Sequence, residues 1–153
     1  MPATHEYGML RQPERLSLWI LLLLQLCLGL LFTAHGAQKL FGAFNGPGMP
    51  AFIGSIGKLG LKPPVVWAWV VALVEFGGGL FIVFGFLTRL AAVLIIVDML
   101  GAIVLVNWKN GFFWTKGGME FPLTLIVIAL VLVISGPSPF SIDRGTGIER
   151  STT

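Results

Sequence analysis

Residues 65–87 decide the fold of this chain, and their sequence is VVWAWVVALVEFGGGLFIVFGFL. At a rise of about 1.5 Å per residue, a helix of this length crosses the hydrocarbon core of a bilayer, which is about 30 Å thick. Two prolines at 63–64 precede the stretch, and Thr88 and Arg89 follow it. It is therefore predicted to be a transmembrane helix that carries a single acid, Glu75, near its middle.

Three further apolar runs, at about residues 16–40, 90–109 and 119–135, have similar compositions. Hydrophobic residues make up 56% of the 153-residue chain and charged residues only 11%, whereas soluble domains carry about 25% charged residues. The mean hydropathy is accordingly positive, at +0.89. These values predict an all-α integral membrane protein, a four-helix bundle with lipid as the solvent for much of its surface.

The loop between the first two spans is rich in glycine and proline, yet some of its apolar residues recur at helical spacing: Phe52, Ile53, Ile56 and Leu59. Such spacing is typical of an amphipathic helix. We therefore expect a short helix in this loop, lying in the interface between lipid and water.

The four spans form one predicted domain, residues 15–143, between a mobile N-terminal tail, 1–14, and a polar C-terminal tail, 144–153. An even number of spans puts both termini on one side of the membrane. Basic residues divide equally between the sides: Arg11, Arg15, Arg89, Arg144 and Arg150 against Lys39, Lys58, Lys62, Lys109 and Lys116. Because the large, structured loop lies opposite the termini, and Lys39 can belong to a helix interior, we predict cytoplasmic termini in a bacterial-type inner membrane.

Two acids, Glu75 and Asp98, fall near the middle of the second and third spans. A charge at that depth costs at least about 2.5–3.5 kcal/mol, so such residues face the bundle interior. At 100° per residue Glu75 shares a helix face with small residues: Ala68, Ala72, Gly78 and Gly79. A polar residue beside small ones is typical of closely packed membrane helices.

Other ionisable residues are predicted to lie at one end of the same bundle. The candidate site is a one-sided polar funnel for ligand binding or proton relay, formed by His35, Lys39, Glu75, Asp98, Lys109 and Glu120. The alternative is that a pair such as Lys39 and Glu75 only fixes the register of the helices. At the opposite end, Arg89 and Asp143 are predicted to pair and to tie the C-terminal tail to the turn between spans two and three.

Several other classes of site are not indicated. The net charge of +3 is not gathered into a basic stripe, so no nucleic-acid partner is expected. The lone cysteine, Cys27, belongs to no metal-binding or redox motif. No haem, iron–sulfur or flavin motif is present either, so no cofactor is bound by a recognisable motif and catalytic residues remain unassigned.

The order of several short segments resembles the DoxX family of small four-helix membrane proteins. They are HGAQKLFG at 35–42, EFGGG at 75–79, GFLTR at 85–89, FW at 113–114, EFP at 120–122, GP at 136–137 and SID at 141–143. The resemblance covers about residues 15–143. It implies a quinone-associated redox role, since the family includes a subunit resembling one of a thiosulfate:quinone oxidoreductase.

Two functions follow as hypotheses. The first is a membrane subunit of a quinone-linked redox system, in which the polar funnel admits a quinone and any electron carrier comes from the quinone or from a partner redox subunit. The second is a non-catalytic accessory subunit of a larger membrane complex. A small proton-coupled carrier is less favoured, because transporters are commonly built from internal repeats and none is evident here.

Overall fold

A computed structural model of the protein describes residues 11–147, with side chains from residue 17 onward. Within this range the chain is helical and contains no strand. The helices are α1 (Arg11–Phe41), α2 (Gly48–Lys58), α3 (Pro64–Phe84), α4 (Thr88–Ala102), α5 (Glu120–Ser135) and α6 (Ile142–Thr146). The greater part of each predicted tail, residues 1–10 and 148–153, lies outside the described residues.

Among the described residues, three helical segments are long and apolar enough to cross a membrane: Ser17–Phe41, Pro64–Phe84 and Thr88–Asn110. The third consists of α4 and its continuation through a π-helical turn, Ile103–Asn107, and a 3-10 turn. The apolar helix α5 has 16 residues, or about 24 Å at the helical rise. The prediction of an all-α membrane protein is confirmed.

The four long helices pack in a ring that follows the order of the chain. Helix α1 contacts α3, α3 contacts α4, α4 contacts α5, and α5 returns to α1. Only residues 85–87 separate α3 from α4, so these two helices run antiparallel. Buried apolar residues of all four long helices form one core, which includes Phe32, Ile82, Ile95, Leu125 and Leu132.

The first loop contains the predicted short helix, α2, which covers the N-terminal half of α3. Its buried residues Met49 and Ile56 pack against Ala68 and Ala72 of α3. The small alanine side chains let α2 lie close to α3, so the loop forms a second, smaller apolar cluster beside the main core.

Glycines set the distance between α1 and α3. A Cβ atom added at Gly29 would come within 2.9 Å of the Gly79 carbonyl oxygen, and one at Gly36 would lie 2.5 Å from the Phe76 Cα. A Cβ at Gly79 would lie 2.7 Å from Thr33 Oγ1. These separations are far below van der Waals contact, so the backbones of α1 and α3 touch where side chains would otherwise hold them apart.

The three adjacent glycines of α3 have different surroundings, which allows a matched comparison. A Cβ at Gly77 meets no atom within 4 Å, whereas one at Gly79 collides with α1. We expect Gly79→Ala to lower the free energy of unfolding by about 1–3 kcal/mol. Gly77→Ala should change it little, or raise it by up to about 1 kcal/mol because alanine favours the helix.

This difference is measurable by SDS titration of the purified protein in detergent micelles, followed by circular dichroism. Equal stability of the two variants would show that α1 and α3 are not in backbone contact.

Candidate functional site

An ion pair between Lys39 and Glu75 joins α1 to α3. The Lys39 Nζ donates a hydrogen bond to Glu75 Oε2. The Glu75 side chain is only 5% exposed and that of Lys39 21% exposed, so the carboxylate is inside the bundle and the ammonium lies at its margin. Lys39 also lies 5.3 Å from the centre of the Phe52 ring of α2, within cation–π range.

The buried face of α3 agrees with the face predicted around Glu75. Its buried residues are Ala68, Ala72, Glu75, Gly78, Gly79 and Ile82. The close contacts between α1 and α3 begin at Phe76, the residue after Glu75, which lies against Gly36 of α1. This close approach buries Glu75 and brings Lys39 within hydrogen-bonding distance of it.

Asp98, the other acid predicted for the funnel near mid-membrane, belongs to α4. The residue as a whole is half-buried, but its Oδ2 atom is shielded from solvent and accepts no hydrogen bond.

An open pocket of about 210 Å³ adjoins the Lys39–Glu75 ion pair. Three of its lining residues are the predicted His35, Lys39 and Glu75. The others are Phe32, Met99, Ala102, Asn107, Phe121, Pro122 and Leu125. The pocket therefore has a small polar region against walls that are mainly apolar, the combination typical of sites for small organic molecules.

His35 and Asn107 each form hydrogen bonds within the protein and also line the pocket. The Nδ1 atom of His35 lies 3.3 Å from Gln38 Oε1; if Nδ1 carries the proton of a neutral ring, Nε2 is an acceptor. Asn107 donates from Nδ2 to the Gly117 and Gly118 carbonyls. It belongs to the π-helical turn after α4, a distortion frequent at functional sites.

Sequence reasoning missed Asn107 and the apolar lining of the pocket. Asn107 could have been identified as a candidate because it is an uncharged polar residue at the end of an apolar run. The apolar lining residues gave no such signal, because on an apolar helix they resemble every other core or lipid-facing position.

Lys109 and Glu120 were also predicted for the funnel, but neither lines the pocket. Lys109 is exposed in the 3-10 turn that follows the π-helical turn. Glu120 accepts a hydrogen bond from the Trp114 backbone N–H at 3.0 Å, across the loop before α5. Both residues lie at the predicted end of the bundle, outside the pocket that His35, Lys39 and Glu75 line.

The other end of the bundle contains a separate buried polar group. The Asp143 carboxylate accepts hydrogen bonds from the Leu87 and Thr88 backbone N–H groups and from Thr88 Oγ1. The C-terminal segment is thereby tied to the turn between α3 and α4, as expected. Leu87 and Thr88 make these hydrogen bonds, and the pairing of Asp143 with Arg89 stays a prediction.

Gln25 also lies at the Asp143 end of the bundle. Its Nε2 donates to the Ile82 carbonyl, and its Oε1 accepts from the Ser138 N–H. At 100° per residue Gln25 falls on the same stripe of the first span as Lys39, which predicts one shared polar core. The structure instead separates the polar residues into two groups, one at each end of an apolar centre.

The arrangement suits a ligand with a polar head and an apolar body. Lys39 supplies a cationic donor, Glu75 a carboxylate acceptor, and His35 ring nitrogens that can donate or accept a hydrogen bond. Within residues 11–147, no three His, Cys, Asp or Glu side chains are grouped to hold a metal ion.

Comparisons with known proteins give a consistent result. The profile of the DoxX family matches residues 20–108. A Bacillus subtilis (strain 168) protein named "Putative oxidoreductase CatD" is 34% identical over 122 residues, which are 80% of this chain and 83% of that protein. No solved structure matches the chain.

Two further relatives are named as membrane proteins. "Uncharacterized membrane protein Rv3486" of Mycobacterium tuberculosis (strain ATCC 25618 / H37Rv) is 32% identical over 132 residues, covering 79% of this chain and 77% of that one. "Inner membrane protein YqjF" of Escherichia coli (strain K12) is 32% identical over 125 residues, covering 80% and 88%.

The ion pair gives a testable prediction for stability. Lys39→Met leaves the Glu75 carboxylate buried without its cation, and we expect the free energy of unfolding to fall by up to about 3–5 kcal/mol. Adding Glu75→Gln removes the uncompensated charge and should restore much of this loss. Lys109→Met, at an exposed lysine, should change the value by less than about 0.5 kcal/mol.

The same SDS titration measures these three variants together with the Glu75→Gln single variant and the unchanged protein. A Lys39→Met loss no larger than that of Lys109→Met, or a double variant as unstable as the sum of its single changes, would mean that Lys39 and Glu75 are not coupled.

Proposed function

The chain belongs to the DoxX family, and we propose that it is a membrane subunit of a quinone-linked redox system whose pocket binds a quinone head group. The protein is a membrane protein by its apolar helices and by its relatives, one of which is named a putative oxidoreductase. The specific proposal is supported chiefly by one observation. A buried ion pair borders an open, mainly apolar pocket.

The chemistry of the lining matches such a ligand. Lys39 can donate to a carbonyl oxygen, and His35 and Glu75 can accept from the hydroxyl groups of the reduced form. Phe32, Met99 and Leu125 offer apolar surface to the ring. A bound quinone supplies two-electron, two-proton redox chemistry, for which this chain provides binding and proton-exchanging groups.

The size of the pocket limits what it can enclose. Pockets for drug-sized ligands measure about 300–1,000 Å³, whereas this one measures about 210 Å³. A single ring fits that volume better than a long chain does. An isoprenoid tail would therefore extend through the open side of the pocket, into lipid or along the bundle surface.

Electrons have to reach the site from elsewhere, because the sequence contains no motif for a haem, an iron–sulfur cluster or a flavin. We therefore propose that a partner redox subunit carries them. The exposed side chains of Phe112, Phe113 and Trp114, in the loop before α5, form a surface at the same end of the bundle as the pocket.

That exposed loop also favours a second candidate, the non-catalytic accessory subunit. Three large aromatic side chains on one loop can serve as a contact with a neighbouring membrane protein as well as an anchor in the lipid interface. Under this alternative the Lys39–Glu75 pair has only a structural role, and the adjoining pocket binds no quinone.

A ligand-binding experiment separates the two candidates. A short-chain benzoquinone should raise the thermal stability of the purified protein, by about 2.7 kcal/mol at 100 times its dissociation constant. Ala102→Phe fills the pocket without removing an ionisable group, and we expect it to weaken binding at least tenfold. Val97→Phe, on an exposed position of the same helix, should bind as the unchanged protein does.

The measurement is a series of thermal melts over a range of quinone concentrations. No stabilisation of the unchanged protein, or equal stabilisation of both phenylalanine variants, would contradict quinone binding in this pocket and favour the accessory role.

A further inference from the structure

We propose that Phe52 of α2 is a positioning residue for the pocket, because its ring holds the Lys39 ammonium against Glu75 and keeps it from extending to the water interface. The position of the ammonium is a property of the protein without any ligand. Its effect on ligand binding rests on the proposed function.

The register of α1 against α3 sets the depth of Lys39. Gly29 lies against Val83, near the C-terminal end of α3. Gly36, further along α1, lies against Phe76, nearer the start of α3, so the two helices run antiparallel. Continued towards the end of α1, this register places Lys39 about nine residues inside the start of α3, a depth of about 14 Å at the helical rise.

A lysine at this depth has a competing position. The exposed side chains of Trp67 and Trp69, near the start of α3, are typical of the lipid–water interface. Lys39 is in the last turn of α1, and long basic side chains near the ends of membrane helices extend their charged group to the interface. The ion pair with Glu75 therefore competes with hydration of the ammonium.

Helix α2 covers the first turns of α3, on the interface side of Lys39. Its residues Met49 and Ile56 belong to the apolar cluster that includes Ala68 of α3. Phe52 falls on the same face of α2, because it lies between these two residues at helical spacing. Its half-buried ring presents a face to the Lys39 ammonium, with the Nζ atom 5.3 Å from the ring centre.

The two contacts leave the ammonium able to bind a ligand. An ammonium has three N–H bonds. One is donated to Glu75 Oε2, and the negative face of the Phe52 ring attracts the cation as well. Lys39 also lines the pocket, so an N–H bond remains for a carbonyl oxygen there.

Phe52 is outside the set of residues that line the pocket, so it acts through Lys39. A lysine side chain is flexible, and fixing it before a ligand arrives lowers the entropy that is lost on binding. The short helix in the first loop is thus part of the binding site, although it contributes no lining residue.

Chemical labelling of lysines tests the position of the ammonium without any ligand. A water-soluble acylating reagent reacts with accessible amines of the protein in nanodiscs, and peptide mass spectrometry reports each lysine separately. We expect Lys39 to react much more slowly than the exposed Lys109. Phe52→Leu keeps an apolar side chain but removes the ring, and should raise the Lys39 rate by about 2- to 30-fold, the factor to which cation–π energies correspond.

The control is Ile53→Ala, at a half-buried neighbour that packs on the same apolar cluster but has no ring. It should leave the Lys39 rate close to that of the unchanged protein, and neither variant should change the Lys109 rate. A Lys39 rate that Ile53→Ala raises as much as Phe52→Leu does would reflect loosening of α2, and would overturn the proposal.

Fluorinated rings separate the π face from the shape of the side chain. Trifluorophenylalanine introduced at position 52 has nearly the size of phenylalanine, but most of the negative potential on its face is lost. We expect the Lys39 rate to rise with each added fluorine, from the unchanged ring to the trifluorinated one. An equal rate across the series overturns the proposal, and the series decides this even if Phe52→Leu fails to fold.

The same proteins show whether the positioning matters for binding. If the proposed function holds, the affinity for a short-chain benzoquinone should fall across the fluorinated series as the Lys39 labelling rate rises. A labelling rate that follows the series in a protein that gains no stability from benzoquinone would retain the role of Phe52 and refute the quinone site. Benzoquinone binding in a protein whose Lys39 rate ignores the series would retain the site and refute the role of Phe52.

Discussion

The contact between α1 and α3 is the constraint on which the rest of the site depends. Glycines at 29, 36 and 79 allow the two backbones to touch, and this places Lys39 of one helix against Glu75 of the other. An acid in the middle of an apolar helix is expensive unless a cation compensates it. Close packing and charge compensation therefore support each other, since larger residues between the helices would move the ammonium away from the carboxylate.

The polar residues of the bundle divide into two groups with different properties. Around Asp143, the described acceptor oxygens are matched by backbone and side-chain donors, and the group ties the C-terminal segment to the turn after α3. Around Glu75, an open pocket adjoins the ion pair. The Asp143 group resembles a structural joint. The Glu75 group has open space beside it, as expected of a binding site.

Much of this architecture could be predicted from the sequence because membrane helices follow simple rules. Length and hydropathy located the long helices, and the cost of a buried charge predicted that Glu75 faces inward among small residues. Proximity in depth was a weaker guide: Lys109 and Glu120 lie at the expected end of the bundle, yet the chain leaves α4 through a π-helical turn and a structured loop that direct them elsewhere. Gln25 lies with the Asp143 group rather than with Lys39 for a similar reason. Helical spacing predicts which residues share a face of a helix, but it does not predict which part of the protein that face contacts.

An experimental density map of the protein in a lipid nanodisc would test the central claim most directly. The account predicts the Lys39 ammonium in contact with the Glu75 carboxylate between α1 and α3, next to a pocket bordered by His35. A Glu75 side chain that faces the lipid, or that lies inside the bundle away from any cation, would contradict it.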